Sequence, residues 1–244
     1  MKSLINPAEA QRRILTNLLD LPVIDCPLEK CAGRILRQPV IADRPFPPFN
    51  RSMMDGYAIR AADIDENGIF EITVQAPAGA PEQRLGATPR VCAEIMTGAV
   101  VPSDADCVVQ YEVTRRIDDT HMQLIDTSDH STGHFIHAYA SDRDSREVLL
   151  ETGRLIGARE IAVAASCGYA SLSVSKKPAI AIVSTGDELV AIVRAPAPHQ
   201  IRRSNDIMMN AALKHVDLPA CQFAHLPDEP EVSKAQLAEL IKAN

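Results

Sequence analysis

A proline-rich stretch in the first quarter of the chain constrains its fold more than any other feature. It reads Arg44-Pro-Phe-Pro-Pro-Phe-Asn-Arg-Ser-Met-Met-Asp-Gly-Tyr57. Three prolines fix the backbone φ angle at about −65° and remove three N–H donors, which predicts a rigid, non-helical approach over residues 44–48. Asp55-Gly56 then predicts a turn that presents a carboxylate, beside the small polar Ser52. The stretch is typical of a site built on a loop, and an ordinary turn between domains is the alternative.

Length and charge limit the classes of protein that the chain can represent. Its 244 residues suffice for one large domain or for two to three small ones. A net charge of −7 argues against nucleic acid or anionic lipid as the main partner. Apolar runs such as Ala179–Val183 are too short to cross a bilayer, and the N-terminus carries no apolar signal segment. The six cysteines lack zinc-like spacing, so we expect a cytoplasmic protein with buried free thiols.

The beginning of the chain predicts a helix that docks on a neighbour. Asn6-Pro-Ala-Glu9 has an asparagine cap, a proline in the first helical position and a glutamate in the third. The apolar residues that follow share one face of this helix: Ile14, Leu15, Leu18 and Leu19. A glycine-closed turn over residues 27–33 and a strand over residues 34–42 come next.

The middle of the chain predicts a small β domain inserted into another domain. Short strands without helical periodicity are indicated at Ile69–Val74, Val91–Ile95, Cys107–Val113 and His121–Leu124. The pattern becomes helical again over Ala158–Cys167, and a short strand at Ser171–Val174 follows. We therefore expect residues 45–142 to form a β-barrel-like insertion in a discontinuous domain made of residues 27–44 and 143–175.

The last part of the chain predicts the opening half of a parallel α/β sheet. Its four elements alternate: a strand at Ala179–Val183 covered on both faces, a helix at Ser204–Lys214, a strand at Ala220–Leu226 and a capped helix from Asp228. The helix is expected to turn four residues inward: Ile207, Met208, Ala211 and Ala212. The fold class is α/β plus β, with residues 1–26 as an N-terminal helix on the α/β domain and residues 176–244 as an unfinished α/β domain.

The end of the first parallel strand is the main candidate site. Ser184-Thr-Gly-Asp-Glu188 follows this strand at the edge where open α/β folds bind their ligands. Gly186 would let backbone N–H groups approach an anion, and Thr185 could donate to a phosphate. Asp187 and Glu188 would suit Mg²⁺ that bridges to phosphate oxygens. A simple turn that ends the strand is the alternative.

Three further candidates have equally plain structural alternatives. Thr97 and Gly98, in Ile95-Met-Thr-Gly-Ala-Val-Val-Pro102, repeat the strand-Thr-Gly pattern but also suit a hairpin turn. Asp142 lies in a charged run that could be a solvated linker. Asp228 could serve as a helix N-cap, with Glu231 completing a capping box.

Four stretches, taken together, carry a resemblance to a known family. They are Pro47-Pro-Phe-Asn-Arg-Ser-Met-Met-Asp-Gly-Tyr-Ala58, Ile95-Met-Thr-Gly-Ala-Val-Val-Pro102, Gly153-Arg-Leu-Ile-Gly-Ala-Arg-Glu-Ile161 and Ala181-Ile-Val-Ser-Thr-Gly-Asp-Glu-Leu189. In this order and spacing they resemble the molybdopterin molybdenumtransferases, to which the C-terminal domain of gephyrin also belongs. The resemblance runs from about residue 5 to the end of the chain.

The resemblance implies a reaction, a cofactor and partners. The reaction is insertion of molybdate into the dithiolene of adenylylated molybdopterin, with Mg²⁺-dependent release of AMP. The implied assembly is an elongated homodimer whose site lies between the α/β domain of one subunit and the β domain of the other. The last domain would be molybdopterin-binding-like, and the molybdopterin adenylyltransferase is a possible further partner by the same resemblance.

The resemblance also implies roles for individual residues. Asp55, Thr97 and Glu188 fall on family site residues, and Asp142 and Asp228 do so in less well matched motifs. Glu188 and Asp228 are the implied metal ligands, and the Thr-Gly turns would hold oxyanions. The implied cofactor-binding residues are Ser52, Gly98, Ser184, Thr185, Gly186 and Asp187.

Three departures from the family pattern favour reduced activity. Ala140-Ser141-Asp142 stands where the family has Gly-Glu-Asp, and His199-Gln-Ile-Arg-Arg-Ser-Asn205 exchanges an acid for two bases. The family's glycine-rich loop and lysine-bearing segment would lie beyond Asn244. We therefore expect the 244 residues to be inactive alone. The alternatives are a non-catalytic truncated paralogue that acts as a dimerisation or scaffold module, and a generic nucleotide-binding α/β module.

Overall fold

The structure is a computed structural model that describes residues 5–18, 20–127, 130–218, 220 and 222–243. It divides into two compact units. Residues Val40–Leu149 form one unit, called here the inserted unit, and the chain before and after it forms the host unit. The finer division into four segments stays a prediction.

Four α-helices occur in the described part of the chain. They are α1 (Pro7–Thr16), α2 (Ala158–Ser166), α3 (Asn205–His215) and α4 (Pro230–Ala243). No helix among the described residues is both long and apolar enough to cross a membrane.

Sixteen short strands accompany the helices within the described ranges. They are β1 (Val23–Pro27), β2 (Val40–Ile41), β3 (Arg51–Ser52), β4 (Gly56–Ile59), β5 (Ile69–Ala76), β6 (Val91–Ile95), β7 (Cys107–Gln110), β8 (Thr114–Arg116), β9 (His121–Leu124), β10 (Ile136–His137), β11 (Val148–Leu150), β12 (Ser171–Ser175), β13 (Ala181–Thr185), β14 (Leu189–Val190), β15 (Ile201–Arg202) and β16 (Gln222–Leu226).

The inserted unit is built on a mixed six-stranded sheet in the order β7-β4-β6-β5-β9-β8. Strands β5 and β6 run parallel, and the other neighbours run antiparallel. The strands predicted at Val91–Ile95 and His121–Leu124 are confirmed. The strand predicted to reach Val113 ends at Gln110, because a 3₁₀ turn begins at Tyr111.

Aliphatic side chains and two aromatic rings fill the core of this unit, as the scarcity of aromatics requires. One cluster surrounds Ile95 and Val108, and the other surrounds Tyr57, Phe70 and Met122. Every residue of strand β4 is buried. Asp55, which directly precedes β4, is therefore attached to a well-packed strand.

The approach to the inserted unit is non-helical, as the prolines predict. The strand predicted over residues 34–42 is largely wrong, because only β2 is regular there and Ile35 and Leu36 form isolated bridges. The Phe46–Pro47 peptide bond is cis. Phe46 N donates to Arg143 O at 2.8 Å, which ties the approach to the segment that leaves the unit.

The first part of the host unit pairs β1 with β12 in antiparallel register, with helix α2 nearby in the chain. The helix predicted at Ala158 and its closing glycine, Gly168, are confirmed, and Gly168 has a φ of +79°. Strand β1 was not predicted. The expectation of buried free thiols is confirmed for the five described cysteines, which are Cys26, Cys31, Cys92, Cys107 and Cys167.

The second part of the host unit pairs β13 with β16 in parallel, from Ala181 opposite Gln222 to Thr185 opposite Leu226. This confirms the predicted strand-helix-strand-helix order. Full burial of the first strand is wrong, because Ile182 is the one residue of β13 that is buried.

Two predicted helix faces are not buried within the described residues. On α3 the residues expected inward, Ile207, Met208, Ala211 and Ala212, are exposed. The buried residue of this helix is instead Asp206, to which the Ser184 hydroxyl of β13 donates. Helix α1 starts as predicted, with Asn6 Oδ1 accepting from Glu9 N at 2.8 Å, yet Ile14, Leu15 and Leu18 stay exposed. Leu19 lies outside the described residues.

Candidate functional site

Asp55 and Thr97 form a direct contact in the inserted unit. The Oδ1 atom of Asp55 accepts from the backbone N–H of Thr97 at 2.6 Å and from its hydroxyl at 2.7 Å. The backbone N–H, followed by the hydroxyl, lowers the pKa of Asp55 below its ordinary value. An exposed carboxylate that is ionised at neutral pH suits a cation or an N–H donor. In this structure Asp55 accepts both donors of Thr97, and the role implied for Thr97 in holding an oxyanion stays a prediction.

Hydrogen bonds between two loops bring Asp55 and Thr97 together. Ser52 N donates to Ala99 O at 3.0 Å, and Gly98 N donates to Ser52 O at 2.9 Å. Ser52 is buried, and its hydroxyl donates to Met54 O at 2.7 Å. Ser52 therefore stabilises the conformation of the loop. Gly98 takes a φ of +83°, a left-handed conformation that glycine adopts without strain.

A close backbone approach fixes the strand behind Asp55. A Cβ atom at Gly56 would lie 1.9 Å from Val109 O, so the pairing of β4 with β7 requires glycine here. On the same side Tyr111 N donates to Asp55 O at 3.1 Å. The Tyr111 hydroxyl donates to Glu94 at 2.8 Å, and burial together with this carboxylate raises the pKa of Tyr111.

Asp142 has a side-chain partner within the inserted unit. Its Oδ1 atom accepts from His137 Nε2 at 2.8 Å, and His137 stands opposite Arg51 in the β3–β10 pair. Since Arg51 precedes Ser52 on β3, the segments that carry Asp55, Thr97 and Asp142 all adjoin this strand. Asp142 is also exposed together with its neighbours 141–148, as the alternative of a solvated charged run expects.

The second group of predicted residues lies in the host unit, where β13 and β16 end. Asp187 N donates to Asp228 Oδ2, and Asp228 N donates to Asp187 Oδ1, each at 3.3 Å. Asp187 and Asp228 thus meet where two neighbouring parallel strands end. The strand pattern had placed Asp187 at this edge, and a role for Asp228 had come only from the resemblance. The N-cap interpretation of Asp228 is wrong, because helix α4 begins at Pro230 and Glu229 precedes it.

Gly186 determines the conformation of the loop after β13. It has a φ of +130°, and a Cβ atom would lie 2.4 Å from Glu188 Oε2. The Glu188 carboxylate therefore folds back over the glycine, in space that only glycine leaves open. His225 Nε2 donates to Gly186 O at 2.8 Å, and Gly186 N donates to Leu226 O at 3.2 Å.

Asp206 is a residue of this site that the sequence did not reveal. It is 7% exposed, and the hydroxyl of Ser184 donates to its carboxylate. Arg203 Nε lies 3.8 Å from its other oxygen. Together with Ser184 and Thr185, it lines a cavity of about 260 Å³. In the sequence Asp206 appears only as an acidic residue in the first turn of a helix. Such a residue is more often explained by its favourable interaction with the helix dipole.

The carboxylates of the host unit fit a substrate-bridged Mg²⁺ better than a complete protein cage. No group of three or more His, Cys, Asp or Glu side chains arranged for a metal occurs among the described residues. Mg²⁺ commonly binds one or two carboxylates and completes its shell with water and phosphate oxygens. The mutual contact of Asp187 and Asp228 engages one oxygen of each, which matches that pattern. Among the hydrogen bonds of the described residues, none joins Glu188, an implied metal ligand, to either aspartate.

The predicted site residues thus form two groups. Ser52, Asp55, Thr97, Gly98 and Asp142 belong to the inserted unit. Ser184, Thr185, Gly186, Asp187, Glu188 and Asp228 belong to the host unit.

Comparison with known proteins identifies relatives of this chain. The family profile described as the MoeA N-terminal region, domains I and II, matches residues 5–168. A molybdopterin molybdenumtransferase of Synechocystis is 35% identical over 82% of this chain and 51% of its own length. One from Staphylococcus epidermidis is 32% identical over 96% of this chain and 57% of its own. The chain spans about half the length of these relatives.

Solved structures share the fold. A molybdopterin biosynthesis MoeA protein of Pyrococcus horikoshii superposes with a TM-score of 0.83 and 23% identity, over 99% of this chain and 65% of that one. A second structure of a MoeA protein from this organism gives a TM-score of 0.77 and 24% identity over 98% of this chain. At this identity the likeness concerns the fold alone.

Proposed function

This chain belongs to the family of the MoeA N-terminal region, and from that membership we propose that it serves molybdenum cofactor biosynthesis as part of a molybdopterin molybdenumtransferase. The names of its relatives support this role. The proposed reaction inserts molybdate into adenylylated molybdopterin and releases AMP in the cytoplasm. One observation carries the proposal furthest, namely the meeting of Asp187 and Asp228 at the ends of two parallel strands.

The host unit is proposed to hold the phosphoanhydride. Residues 176–244 supply the first half of a molybdopterin-binding-like α/β domain in this proposal. Asp187 and Asp228, with Glu188 close by in the chain, would hold Mg²⁺, which when bound neutralises phosphate charge. Gly186 leaves space for the Glu188 side chain to fold over the loop. The hydroxyl of Thr185 would donate a hydrogen bond to a phosphate.

The inserted unit is proposed to supply ionised carboxylates with fixed orientations. Thr97 donates two hydrogen bonds to one oxygen of Asp55, which orients the carboxylate and lowers its pKa further below the ordinary value. The other oxygen can then accept a proton or a hydrogen bond from the substrate, or contact a cation. Gly98 and Ser52 keep the two loops together.

A second copy of the chain is the proposed partner, and the molybdopterin adenylyltransferase is a further one. Sedimentation at micromolar concentration tests the first point, since a homodimer has twice the mass of 26.5 kDa. A monomer at all concentrations would refute it.

Binding and transfer are tested separately, because the chain covers only about half of its relatives. We expect the purified chain to bind adenylylated molybdopterin in a Mg²⁺-dependent manner and not to insert molybdate by itself. Asp187→Asn and Asp228→Asn should each weaken binding by about tenfold. Glu239→Gln is the matched control, because Glu239 pairs with Lys242 on the exposed helix α4.

The measurements of binding, molybdate insertion and dimer formation each have an outcome that contradicts part of the proposal. Binding that is unaffected by chelation of Mg²⁺ and by both aspartate variants would remove the host-unit carboxylates from the function. Molybdate insertion by the 244 residues alone would refute their inactivity. Dimer formation without any binding of the substrate would instead favour the scaffold module.

A further inference from the structure

Three side chains form a line across the β3–β10 pair of the inserted unit. An Arg51 guanidinium nitrogen lies 2.9 Å from His137 Nδ1, and His137 Nε2 lies 2.8 Å from Asp142 Oδ1. A guanidinium group can only donate hydrogen bonds, so His137 Nδ1 must accept and must carry no proton. The proton of the imidazole therefore sits on Nε2, where it points at Asp142. The hydrogen bond at one ring nitrogen thus fixes the tautomer at the other.

The backbone fixes both ends of this line. Arg51 and His137 are register partners in the β3–β10 pair, so the guanidinium and the imidazole stand opposite each other. Asp142 N donates to Phe46 O at 2.9 Å, and Ala140 N donates to Pro47 O at 3.0 Å. The turn before Asp142 is therefore held against the proline-rich approach.

The exposed fractions of the side chains distinguish the His137–Asp142 contact from an ordinary surface ion pair. The side chain of His137 is 26% exposed and that of Asp142 is 56% exposed. An exposed pair of flexible side chains contributes little to stability. Here a short imidazole on a strand ties one oxygen of Asp142 and leaves the carboxylate facing solvent. This arrangement suits a group that is oriented for a ligand.

We infer that Arg51 and His137 are positioning residues, which orient the carboxylate of Asp142 for the substrate of the proposed reaction. The inference rests on the proposed function for what Asp142 contacts, but the tautomer and the orientation follow from this chain alone. Arg51 acts through His137, and His137 acts through Asp142. Neither has to touch the substrate.

The first test reads the tautomer by long-range ¹H–¹⁵N NMR of histidine-labelled protein at neutral pH. We expect the Nε2–H pattern for His137 in the unsubstituted chain. In Arg51→Met the share of the Nε2–H tautomer should fall, because Nδ1 has lost its donor and only the bond to Asp142 then favours a proton on Nε2. Arg115→Met is the matched control, since Arg115 is an exposed arginine of the same unit that donates to Gln123 at 2.7 Å. It should leave the His137 signals unchanged.

The second test compares two variants at His137 in molybdate-dependent AMP release by the protein in its full natural length. His137→Ala removes the donor and should lower kcat by about tenfold or more, with little change in KM. His137→Gln keeps an N–H donor on a side chain of similar reach and should recover much of the rate. A purely structural role would affect both variants alike.

Two outcomes overturn the inference. An Nδ1–H or averaged pattern for His137 in the unsubstituted chain would mean that Arg51 does not fix the ring. Equal rates for His137→Ala and His137→Gln would mean that the donor to Asp142 is not used. If the unsubstituted full-length protein releases no AMP, the proposed function fails, while the spectra still decide whether Arg51 fixes His137 toward Asp142.

Discussion

Thr97 gives both of its donors, the backbone N–H and the hydroxyl, to one oxygen of Asp55, at 2.6 and 2.7 Å. Replacing Thr97 by valine removes the hydroxyl and keeps the backbone bond. We expect the pKa of Asp55 to rise part of the way toward its ordinary value, because the backbone N–H is the larger cause of the lowering. A ¹³C NMR titration of the Asp55 carboxyl carbon measures this change.

The same unit contains a matched control for that experiment. Thr120 donates its backbone N–H and its hydroxyl to Asp118 Oδ1 at 2.7 and 3.0 Å. Thr120→Val should raise the pKa of Asp118 and leave that of Asp55 unchanged. If Thr97→Val leaves the titration of Asp55 where it was, the hydroxyl does not contribute to holding the carboxylate ionised.

Acid should destabilise the protein through Asp118 in a defined pH range. The backbone N–H of Thr120 and the His121 side chain lower the pKa of Asp118 to about 2. A carboxyl group with a lowered pKa stabilises the fold above its unfolded pKa of about 3.9, and this contribution is lost as the pH falls toward 2. Between pH 4 and pH 2, the free energy of unfolding should fall more steeply in the unsubstituted chain than in Asp118→Asn. Urea denaturation at several pH values tests this, and parallel pH profiles would contradict it.

Gly56→Ala should disturb the support of Asp55 without touching its side chain. The new Cβ atom would lie 1.9 Å from Val109 O and 2.9 Å from the Cα atom of Gln110, which are backbone atoms that cannot rotate away. We expect a loss of about 1–3 kcal/mol in the free energy of unfolding and a shifted Asp55 titration. Gly79→Ala is the control, since a Cβ there meets open space and costs only the backbone strain of its φ of +85°. Equal losses in the two variants would exclude the clash as the cause.

Asp206→Ala should destabilise the host unit. The substitution removes the buried acceptor of the Ser184 hydroxyl and the carboxylate that lies 3.8 Å from Arg203 Nε. Leaving such groups without a partner costs about 1–3 kcal/mol. Glu239→Ala, which breaks an exposed pair with Lys242, should change stability by about 0.5 kcal/mol at most. Circular dichroism during chemical denaturation compares the two, and a neutral Asp206→Ala would show that the contact is dispensable.

Three predictions that rested on local rules were confirmed, whereas the N-cap at Asp228, which also rested on a local rule, was wrong. The cap at Asn6, the closing glycine at Gly168 and the strand at Val91–Ile95 each depend on a few neighbouring residues, and the structure has all three. The loop after β13 was found for the same reason, since a strand that runs into Thr-Gly-Asp is visible in the sequence.

The features that depended on distant partners could not be read in advance. The parallel pairing of β5 with β6 joins segments that no local pattern links. Asp206 could not be recognised from its own helix, because its partner Ser184 lies on another element. The apolar pattern of α3 does not reveal this contact. His137 belongs to no motif in the sequence, because its partner Arg51 is far away in the chain. The sequence therefore indicated most of the candidate carboxylates, and it missed Asp206 and the side chain that contacts Asp142.

The inserted unit enters and leaves the chain at nearly one point, because Ala42 N donates to Glu147 O at 2.9 Å. A module with adjoining ends can be gained, lost or exchanged in evolution while the path of the surrounding polypeptide stays almost unchanged. The same geometry makes this junction the natural place to cut, since a short turn in place of the module would restore a continuous chain.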